Sequence, residues 1–405
     1  MIQLALRNLS RHRKRTAIAL ATISFGVVAL VLAGGFIEWI FWGMRENTIQ
    51  SRLGHIQMTK PGYFKSGSAD PYAFLLPEQQ LERINLEAIT EVKAVSPRLA
   101  FTGLISHGEV TIGFIGEGVD PEKDVDLSKG LTVMEGNGLD SGDPHGLFMG
   151  GGLARNLGAA LGDTVSILAT TASGGLNGVE GTIRGVFQSA SKEFDDVALR
   201  MPLDLARQLL RTQGVQSVVI LLDKTEDTEK VLHQLQSQYP VSTSHLQFTP
   251  WYDLAEFYQK TVKLFSKQMN IVRLIIALII ILSISNILIM SVLERTGEIG
   301  TLMAIGLKRR MILQLFVDEG LLMGIIGGLF GVAAGTILAV AISAVGIPMP
   351  PPPGMETGYT GEIMVTWPLL AGTLLLAVLT TLLGSLYPAW KASSMNIVDA
   401  LRYNR

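Results

Sequence analysis

The sequence contains no cysteine, which excludes disulfides, cysteine-ligated zinc sites and thiol catalysis. Charged residues are also few: they make up 17% of the 405 residues, against about 25% in soluble domains. The formal net charge of −2 excludes nucleic-acid binding driven by bulk charge. Apolar residues make up 48% of the chain and the mean hydropathy is +0.36. These values exclude a disordered chain and indicate that part of it lies in lipid.

Several catalytic motifs are missing from the sequence. It has no Gly-Lys dipeptide and therefore no phosphate-binding P-loop, and it has neither a G-x-S-x-G nucleophile elbow nor an H-E-x-x-H metal helix. The histidines lack ligand spacing; they are His12, His55, His107, His145, His233 and His245. We therefore predict no catalytic residue, cofactor site or metal site in this chain.

Four long apolar stretches predict four transmembrane helices, because about 20 helical residues cross a hydrocarbon core of about 30 Å. The stretches lie at residues 16–37, 274–293, 320–349 and 363–390. The basic residues before the first stretch would also suit a signal peptide. The stretch exceeds the apolar region of about 7–15 residues that such peptides have, so we interpret it as a span.

Lysine and arginine flank these stretches on one side of the membrane. They are Arg7, Arg11, Arg13, Lys14 and Arg15 before the first stretch, Arg295 and Lys308, Arg309 and Arg310 between the second and third, and Lys391, Arg402 and Arg405 after the fourth. The connection at 347–366 has Glu356 and Glu362 but no basic residue. The positive-inside rule then predicts a multi-pass protein of the cell inner membrane with both termini in the cytoplasm.

The predicted fold class is an integral membrane protein with four transmembrane α-helices and a large α/β extracytoplasmic domain inserted between helices 1 and 2. The predicted segments are a cytoplasmic amphipathic N-terminal helix (1–15), the first span (16–42), the extracytoplasmic domain and stalk (43–269), the second span (270–293), a cytoplasmic segment (294–311), the third span (312–346), an outer loop (347–362), the fourth span (363–390) and a cytoplasmic tail (391–405).

Apolar periodicity predicts mixed α/β structure for the outer region. We expect helices at 81–92, 151–161, 202–211 and 225–238, strands at 99–105, 110–115, 164–169 and 215–222, and a mobile loop at 171–181. Residues 257–269 are expected to continue the second span as one uninterrupted helical stalk, which would carry motion between the membrane and the outer domain.

The segment between the second and third spans is the most informative. A short helix from about Thr296 to Ile305 would place Ile299, Leu302 and Met303 on one side, and Gly306 would supply a C-terminal turn. Such a helix either sits in a groove on a partner or is a connecting loop whose charges follow the positive-inside rule. The residues alone leave both interpretations open.

This segment resembles the E-R-x-x-E-I-G-x-x-x-A-I-G block of FtsX/MacB-type ABC transporter permeases, with Met303 where that family often has Arg. Residues 4–9, with the basic run up to Thr16, resemble the family's amphipathic entry helix. Residues 387–392 and 398–402 resemble its C-terminal ending, with Asn396-Ile397 in place of a Pro-containing pair. Residues 116–121 and 151–163 are similar to its periplasmic core. Because the chain carries no ATPase motif, the lipoprotein-releasing LolC/LolE branch is the nearest by this resemblance.

The resemblance implies a cytoplasmic coupling segment that docks in an ABC ATPase subunit. ATP and Mg²⁺ would then bind in that partner, and a second permease chain, identical or different, would complete the complex. Carried over to this chain, the coupling segment comprises Glu294, Arg295, Glu298, Gly300, Leu302, Met303, Ala304, Ile305 and Gly306.

Two sets of glycines in the third span repeat every four residues, a spacing that lets helix backbones approach closely in lipid. They are Gly320, Gly324 and Gly328, and Gly327, Gly331 and Gly335. We favour packing within the chain against span two or four over a dimer seam. Asp318 and Glu319 are expected to pair with Arg309 or Arg310.

An amphiphilic substrate, most simply a lipoprotein passed to a periplasmic acceptor, would need an apolar entrance. Phe36, Ile37, Ile40 and Phe41 are candidates for it, although aromatic residues in this position also suit an interfacial belt, which is our interpretation of Trp39 and Trp42. The alternatives are mechanotransmission to a periplasmic partner without transport, export of a peptide or antibiotic, and a sensor or scaffold that uses no ATPase.

Overall fold

The structure is a computed structural model that describes residues 2–11, 13–67, 70–82, 84–189, 192–350 and 359–396. The chain forms two compact units. The membrane unit consists of the described parts of residues 1–42, 261–349 and 359–405, and the sheet unit consists of the described parts of 43–260 and 350–358. Parts of the predicted outer loop (351–358) and tail (397–405) lie outside the described residues.

The α-helices are numbered in chain order. They are α1 (Ile2–Arg11), α2 (Arg13–Thr48), α3 (Tyr63–Ser66), α4 (Glu78–Glu82), α5 (Gly151–Leu157), α6 (Lys192–Asp195), α7 (Leu203–Leu210), α8 (Thr228–Gln238), α9 (Val241–Ser244), α10 (Trp251–Leu254), α11 (Glu256–Glu294), α12 (Thr296–Ala304), α13 (Arg309–Val345) and α14 (Trp367–Ser393). A π-helical turn, Ile49–Leu53, follows α2, and 3₁₀ turns lie at Pro71–Phe74, Leu86–Ala88, Asp126–Ser128 and Thr225–Asp227.

The β-strands are numbered in the same way. They are β1 (Ile56–Thr59), β2 (Val92–His107), β3 (Val110–Val119), β4 (Thr132–Gly136), β5 (Gly146–Gly150), β6 (Thr164–Thr170), β7 (Leu176–Gln188), β8 (Ala198–Pro202), β9 (Ser217–Leu222), β10 (Gln247–Pro250), β11 (Ile347–Met349) and β12 (Tyr359–Gly361).

Four helices, α2, α11, α13 and α14, are long and apolar enough to cross a membrane. Even α14, with 27 residues, extends about 40 Å at 1.5 Å per residue, which exceeds a hydrocarbon core of about 30 Å. The predicted fold class is confirmed: a large β-rich domain is inserted after the first of four candidate transmembrane helices. The expected continuity of stalk and second span is also present, since α11 runs through both without a break.

The sheet unit is built on one ten-stranded mixed sheet. Its order is β10-β1-β9-β2-β3-β8-β5-β7-β4, and β6 pairs with β2 and β7. The pairs β3–β8 and β5–β7 are parallel, and the remaining pairs are antiparallel. A turn at His107-Gly108 joins β2 and β3, and Gly108 has a φ of 59°.

Two predictions about the outer region are wrong. Residues 81–92 do not form a helix: α4 ends at Glu82, a 3₁₀ turn follows and β2 begins at Val92. The apolar residues Leu86 and Ile89 are nevertheless buried. The apolar spacing of this segment therefore indicated buried positions but not helical structure. The glycine-rich residues 171–181 are not simply a loop, because β7 begins at Leu176 and pairs with β6.

The helix predicted for residues 151–161 is shorter than expected. It ends at Leu157 because Gly158, with a φ of 64°, adopts the left-handed conformation that closes a helix. The remaining predicted elements occur with shifted ends: the strands became β2, β3, β6 and β9, and the helices became α7 and α8.

Candidate functional site

The connection between the second and third spans is a short helix with a turn at each end. Helix α11 ends at Glu294, and the hydroxyl of Thr296 donates to the carbonyl oxygens of Val292 and Leu293 at 3.0 and 2.9 Å. Helix α12 ends at Ala304, and Gly306 follows with a φ of 104°. The turn predicted at Gly306 is therefore present, and it needs glycine because only glycine adopts this backbone conformation without strain.

One face of α12 packs into the membrane unit. Ile299 and Met303 are 2% and 6% exposed. They belong to a buried cluster together with Val292, Ile312, Phe316, Ala389 and Ala392, and Leu302 is half-buried against it. Gly300 is also buried. Within the predicted coupling segment, Gly300, Leu302 and Met303 thus fix α12 in place.

The opposite edge of α12 is open. The side chain of Ile305 is 75% exposed, and Ala304 and Gly306 are exposed beside it. We call these three residues the docking edge. A large aliphatic side chain on a hydrogen-bonded turn, followed by the exposed Lys308, Arg309 and Arg310, has the form of an apolar anchor with a basic rim.

Glu294, Arg295 and Glu298 form ion pairs with other residues of the membrane unit. Arg295 is 7% exposed; its Nε lies 3.2 Å from Glu298 Oε2, and its Nη1 lies 3.2 Å from Glu319 Oε1. Glu319 also accepts a hydrogen bond of 2.7 Å from Asn8 Nδ2 on α1. No sequence pattern predicts this contact of Asn8, Arg295 and Glu319, because the three residues are far apart in the chain.

The predicted pairing of Asp318 and Glu319 with Arg309 or Arg310 is wrong. Glu319 is ten residues beyond Arg309 on α13, a rise of about 15 Å along the helix axis, and it pairs with Arg295 instead. Asp318 has no hydrogen-bond or ion-pair partner among the residues that the structure describes.

Two further ion pairs join the N-terminal helices to the segment. Arg11 Nη1 lies 3.1 Å from Glu298 Oε1, and Arg15 pairs with Glu294. Both glutamates are 46% exposed at the side chain. Solvent-exposed pairs contribute about 0–1 kcal/mol, so the buried contacts of Arg295 dominate the placement of α12.

The two glycine sets of α13 face different helices. A Cβ on Gly320 would lie 2.5 Å from Ser385 Cβ, and Gly324 and Gly328 likewise lie against α14. Gly327, Gly331 and Gly335 lie against Ile23, Val27 and Val31 of α2. The second set therefore packs within the chain against span one, and not against span two or four.

The candidate entrance residues are half-buried in the membrane unit. Phe36 stacks with Trp39 at 6.4 Å between ring centroids, and Phe41 meets Phe265 edge-on at 6.3 Å. Ile37 and Ile40 lie between them in sequence on α2. Glu38 accepts a 2.6 Å hydrogen bond from the hydroxyl of Thr366, the residue that precedes α14.

The sheet unit contains a buried charged cluster that no sequence motif indicated. Arg200 is 1% exposed; its Nε lies 3.3 Å from Glu117 Oε2 and its Nη1 lies 3.3 Å from Asp124 Oδ2. Arg98 contacts the same two carboxylates. Burial acts to raise the pKa of Glu117, but Arg200, Arg98 and Arg52 outweigh it and lower the pKa to about 2.

The cluster also holds the end of the first long helix. Arg200 Nη2 donates a 2.9 Å hydrogen bond to the carbonyl oxygen of Ser51 in the π-helical turn. Burial lowers the pKa of Arg200, and Arg98 beside it lowers it further, while Asp124 and Glu117 raise it. The only sequence signal was the similarity of residues 116–121 to a periplasmic core, which includes Glu117.

His55 is a structural residue of the same unit. It is 3% exposed, its Nδ1 accepts from the Leu222 amide at 2.9 Å, and its Nε2 lies 3.1 Å from the hydroxyl of Thr225. Burial lowers its pKa to about 4. Among the described residues, no group of three or more His, Asp and Glu side chains is placed to hold a metal ion.

Comparison with known proteins matches both units. Residues 16–238 match the MacB-like periplasmic core domain, and residues 270–397 match the FtsX-like permease C-terminal model. An uncharacterised ABC transporter permease of Methanocaldococcus jannaschii is 25% identical over 99% of this chain and 97% of its own length.

Two relatives have names that describe an activity. The macrolide export ATP-binding/permease protein MacB of Sodalis glossinidius is 27% identical over 99% of this chain, which spans 60% of that relative's length. The lipoprotein-releasing system transmembrane protein LolE of Haemophilus influenzae is 24% identical over 80% of each chain. With two family models that together cover the membrane helices and the sheet unit, the chain belongs to the FtsX/MacB-type family of ABC transporter permeases.

Proposed function

We propose that this permease releases or exports an amphiphilic substrate, and that a separate ABC ATPase subunit drives it by docking on α12. The exposure of Ile305 at the end of a helix whose other face is buried carries this proposal. A helix with one exposed apolar side chain transmits a displacement by a bound partner to the helices on which it is packed, namely α11, α13 and α14.

Nucleotide chemistry is assigned to the partner because these 405 residues contain no Gly-Lys dipeptide and hence no P-loop. ATP and Mg²⁺ would bind there, and this chain would have no enzymatic activity of its own. The docking edge then belongs in the cytoplasm, as do both termini. The basic residues on this side support that orientation.

A second permease chain, identical or different, is part of the proposal, since ABC permeases of this family act in pairs. An exposed apolar stripe on α11 supports it: Phe257, Leu264 and Ile271 are 77%, 56% and 59% exposed and are spaced by seven residues, as in helices that pack against a partner helix. Membrane lipid would cover the apolar surface that this partner leaves open.

The substrate we favour is a lipoprotein, handed to a periplasmic acceptor. At about 0.8 kcal/mol for each buried CH₂ group, withdrawing one acyl chain of about 15 carbons from lipid costs on the order of 12 kcal/mol, a demand that suits ATP-driven extraction. The LolE relative supports this choice, and the name of the MacB relative supports export of an antibiotic. Phe36, Ile37, Ile40 and Phe41 would form the entrance.

Docking is tested by Ile305→Glu in the tagged full-length chain, purified from its native membrane. We expect the ATPase subunit to be lost from the purified material, because a carboxylate replaces the apolar anchor. Val241→Glu is the matched control: Val241 is also an exposed aliphatic residue, 48% exposed, but it lies in the sheet unit. Retention of the ATPase by Ile305→Glu would contradict the docking assignment.

The substrate is tested by photo-crosslinking from Phe36, Ile40 and Phe41 in native membranes. Crosslinks to acylated protein would support lipoprotein release. Crosslinks to bulk phospholipid alone would favour mechanotransmission to a periplasmic partner without transport. A purified chain from which every ATPase is absent would instead indicate a sensor or scaffold.

A further inference from the structure

A buried carboxylate joins three helices of the membrane unit. Glu319, in the third turn of α13, is 3% exposed. Its Oε1 atom accepts a 2.7 Å hydrogen bond from Asn8 Nδ2 on α1 and lies 3.2 Å from Nη1 of Arg295, the residue between α11 and α12. Asn8, Arg295 and Glu319 thus link α1, the α11–α12 connection and α13.

The guanidinium of Arg295 is fixed from several sides. Its Nε lies 3.2 Å from Glu298 Oε2 on α12, and its carbon Cζ lies 5.8 Å from the ring centroid of Phe316 on α13. Phe316 is fully buried. Arg295 therefore contacts both α12 and α13, and Phe316 and Glu319 hold its guanidinium against α13.

The residues that follow Glu319 hold α13 to two other spans. Gly320 packs against Ser385 of α14, and the hydroxyl of Ser24 on α2 donates a 2.8 Å hydrogen bond to the carbonyl oxygen of Gly327. Movement of Glu319 is thus passed to α13 at a point where that helix contacts both neighbours closely.

The main chain is a second connection between α12 and α13. It passes through the turn at Gly306 and Leu307, whose amides donate hydrogen bonds of 3.0 and 3.1 Å to the carbonyl oxygens of Met303 and Leu302. A charge-assisted hydrogen bond is about twice as strong as these neutral ones, and breaking it in a site shielded from water would leave a buried charge without its partner.

We propose that Glu319 is a positioning residue, which transmits the displacement of α12 to α13 through Arg295 and ties α1 to the same movement through Asn8. This inference rests on the proposed function, because an ATPase that docks on α12 supplies the displacement. It assigns the transmission of movement from α12 to α13 to a side-chain contact and not to the main-chain turn.

The chain has no cysteine, so single cysteines report on individual helices. Val345→Cys, at the far end of α13, and Ser266→Cys, on α11, both replace exposed side chains. Ser266 lies outside the apolar stripe that the second permease chain would cover. Each is combined with Glu319→Gln, which removes the charge and keeps the size. The full complex with its ATPase is treated with a membrane-impermeant maleimide, with and without Mg²⁺-ATP, and labelling rates are compared.

In the chain with native Glu319 we expect Mg²⁺-ATP to change the labelling rate several-fold at both positions. With Glu319→Gln, the response at Val345→Cys should be smaller than with native Glu319, the packing of Ile299 and Met303 on α13 leaving a residual part. Ser266→Cys should keep its full response, because α11 continues directly into Arg295. ATPase association and hydrolysis should persist. Asp318→Asn is the matched control, since Asp318 is the neighbouring carboxylate and lacks these contacts; it should leave both responses unchanged.

Loss confined to the response at Val345→Cys, with the response at Ser266→Cys and ATPase association retained, separates transmission through Glu319 from a purely structural role, which would affect both positions. An unchanged response at Val345→Cys in Glu319→Gln, or loss at both positions, would overturn the proposal. Absence of any response to Mg²⁺-ATP with native Glu319, together with absence of a bound ATPase, would instead contradict the proposed function itself.

Discussion

Gly331 and Val27 are so close that a Cβ atom on Gly331 would lie 2.6 Å from Cβ of Val27. The carbonyl oxygen of Ser24 would lie 2.9 Å from that added Cβ atom of residue 331. The absence of a side chain at position 331 is therefore what allows α13 to approach α2 in the membrane, where close packing takes the place of hydrophobic burial as the force between helices.

Gly331→Leu should therefore destabilise the membrane unit. Overpacking costs about 1–3 kcal/mol, and we expect a lower midpoint of thermal unfolding for the full chain in detergent, followed by far-UV circular dichroism. Gly372→Leu is the control, because no atom lies within 4 Å of a Cβ at Gly372 on α14. Equal midpoints for the two variants would show that the close approach is not needed.

Glu117→Gln should destabilise the sheet unit by about 3–5 kcal/mol, because removing one partner of a buried ion pair leaves the other charge uncompensated. Arg200, which is 1% exposed, would retain its charge with one carboxylate fewer. Denaturant unfolding of the full chain measures the loss. Glu256→Gln, which removes the exposed pair with Lys260, should have little effect on the free energy of unfolding. A loss as large as that of Glu117→Gln would show that burial does not set the contribution of these ion pairs.

His55 should make the sheet unit less stable at mildly acidic pH. Its pKa is lowered from 6.5 to about 4 in the folded state, so below pH 6.5 the unfolded state binds the proton more readily. Stability is full above pH 6.5, falls as the pH drops from 6.5 to 4 and then levels off. Between pH 7 and 5 the expected loss is about 2 kcal/mol.

The pH effect is measured by denaturant unfolding at pH 7 and pH 5. His55→Gln should be less stable than the native chain at pH 7 and should show a smaller difference between the two pH values. His233→Gln is the matched control, since the His233 side chain is 79% exposed; it should keep the full difference. An unaltered difference in His55→Gln would assign the effect to another group.

Gly306→Ala and Gly43→Ala should have opposite effects. The φ of 104° at Gly306 strains alanine, and we expect a cost of about 1 kcal/mol or more together with weaker ATPase association. Gly43 lies inside α2 with no atom within 4 Å of a Cβ, so alanine there should stabilise the helix by about 0.5–1 kcal/mol. Thermal midpoints and co-purification measure both variants, and a stabilising Gly306→Ala would contradict the turn's role.

Much of the membrane unit was predictable from the sequence because lipid leaves few alternatives. A run of 20 or so apolar residues, as at 363–390 or 16–37, can only be a spanning helix when no water is present to satisfy its backbone. The short helix α12 was predictable for a similar reason: its apolar spacing and the terminal Gly306 are both local signals. The family resemblance then supplied the coupling role, which the residues alone had left open.

The sheet unit was less predictable. The apolar spacing of residues 81–92 suits a helix, but there the chain forms a 3₁₀ turn and enters β2, because pairing with distant strands decides the backbone. Likewise the glycines of residues 171–181 indicated a loop, whereas β6 provides a partner that makes β7 a strand. Propensity is a local property, and strand pairing is not.

Sequence by itself determined which segments enter the membrane, that the long insertion follows the first of them, and that a short helix connects the second and third, since each depends on residues close together in the chain. Tertiary structure alone decided that Glu319 meets Asn8 and Arg295, that Glu117 meets Arg200, and that one glycine set of α13 faces α2. The physical reason is that a buried charge or a missing side chain takes its partner from whichever element folding brings within a few ångströms, and that partner has no fixed distance along the chain.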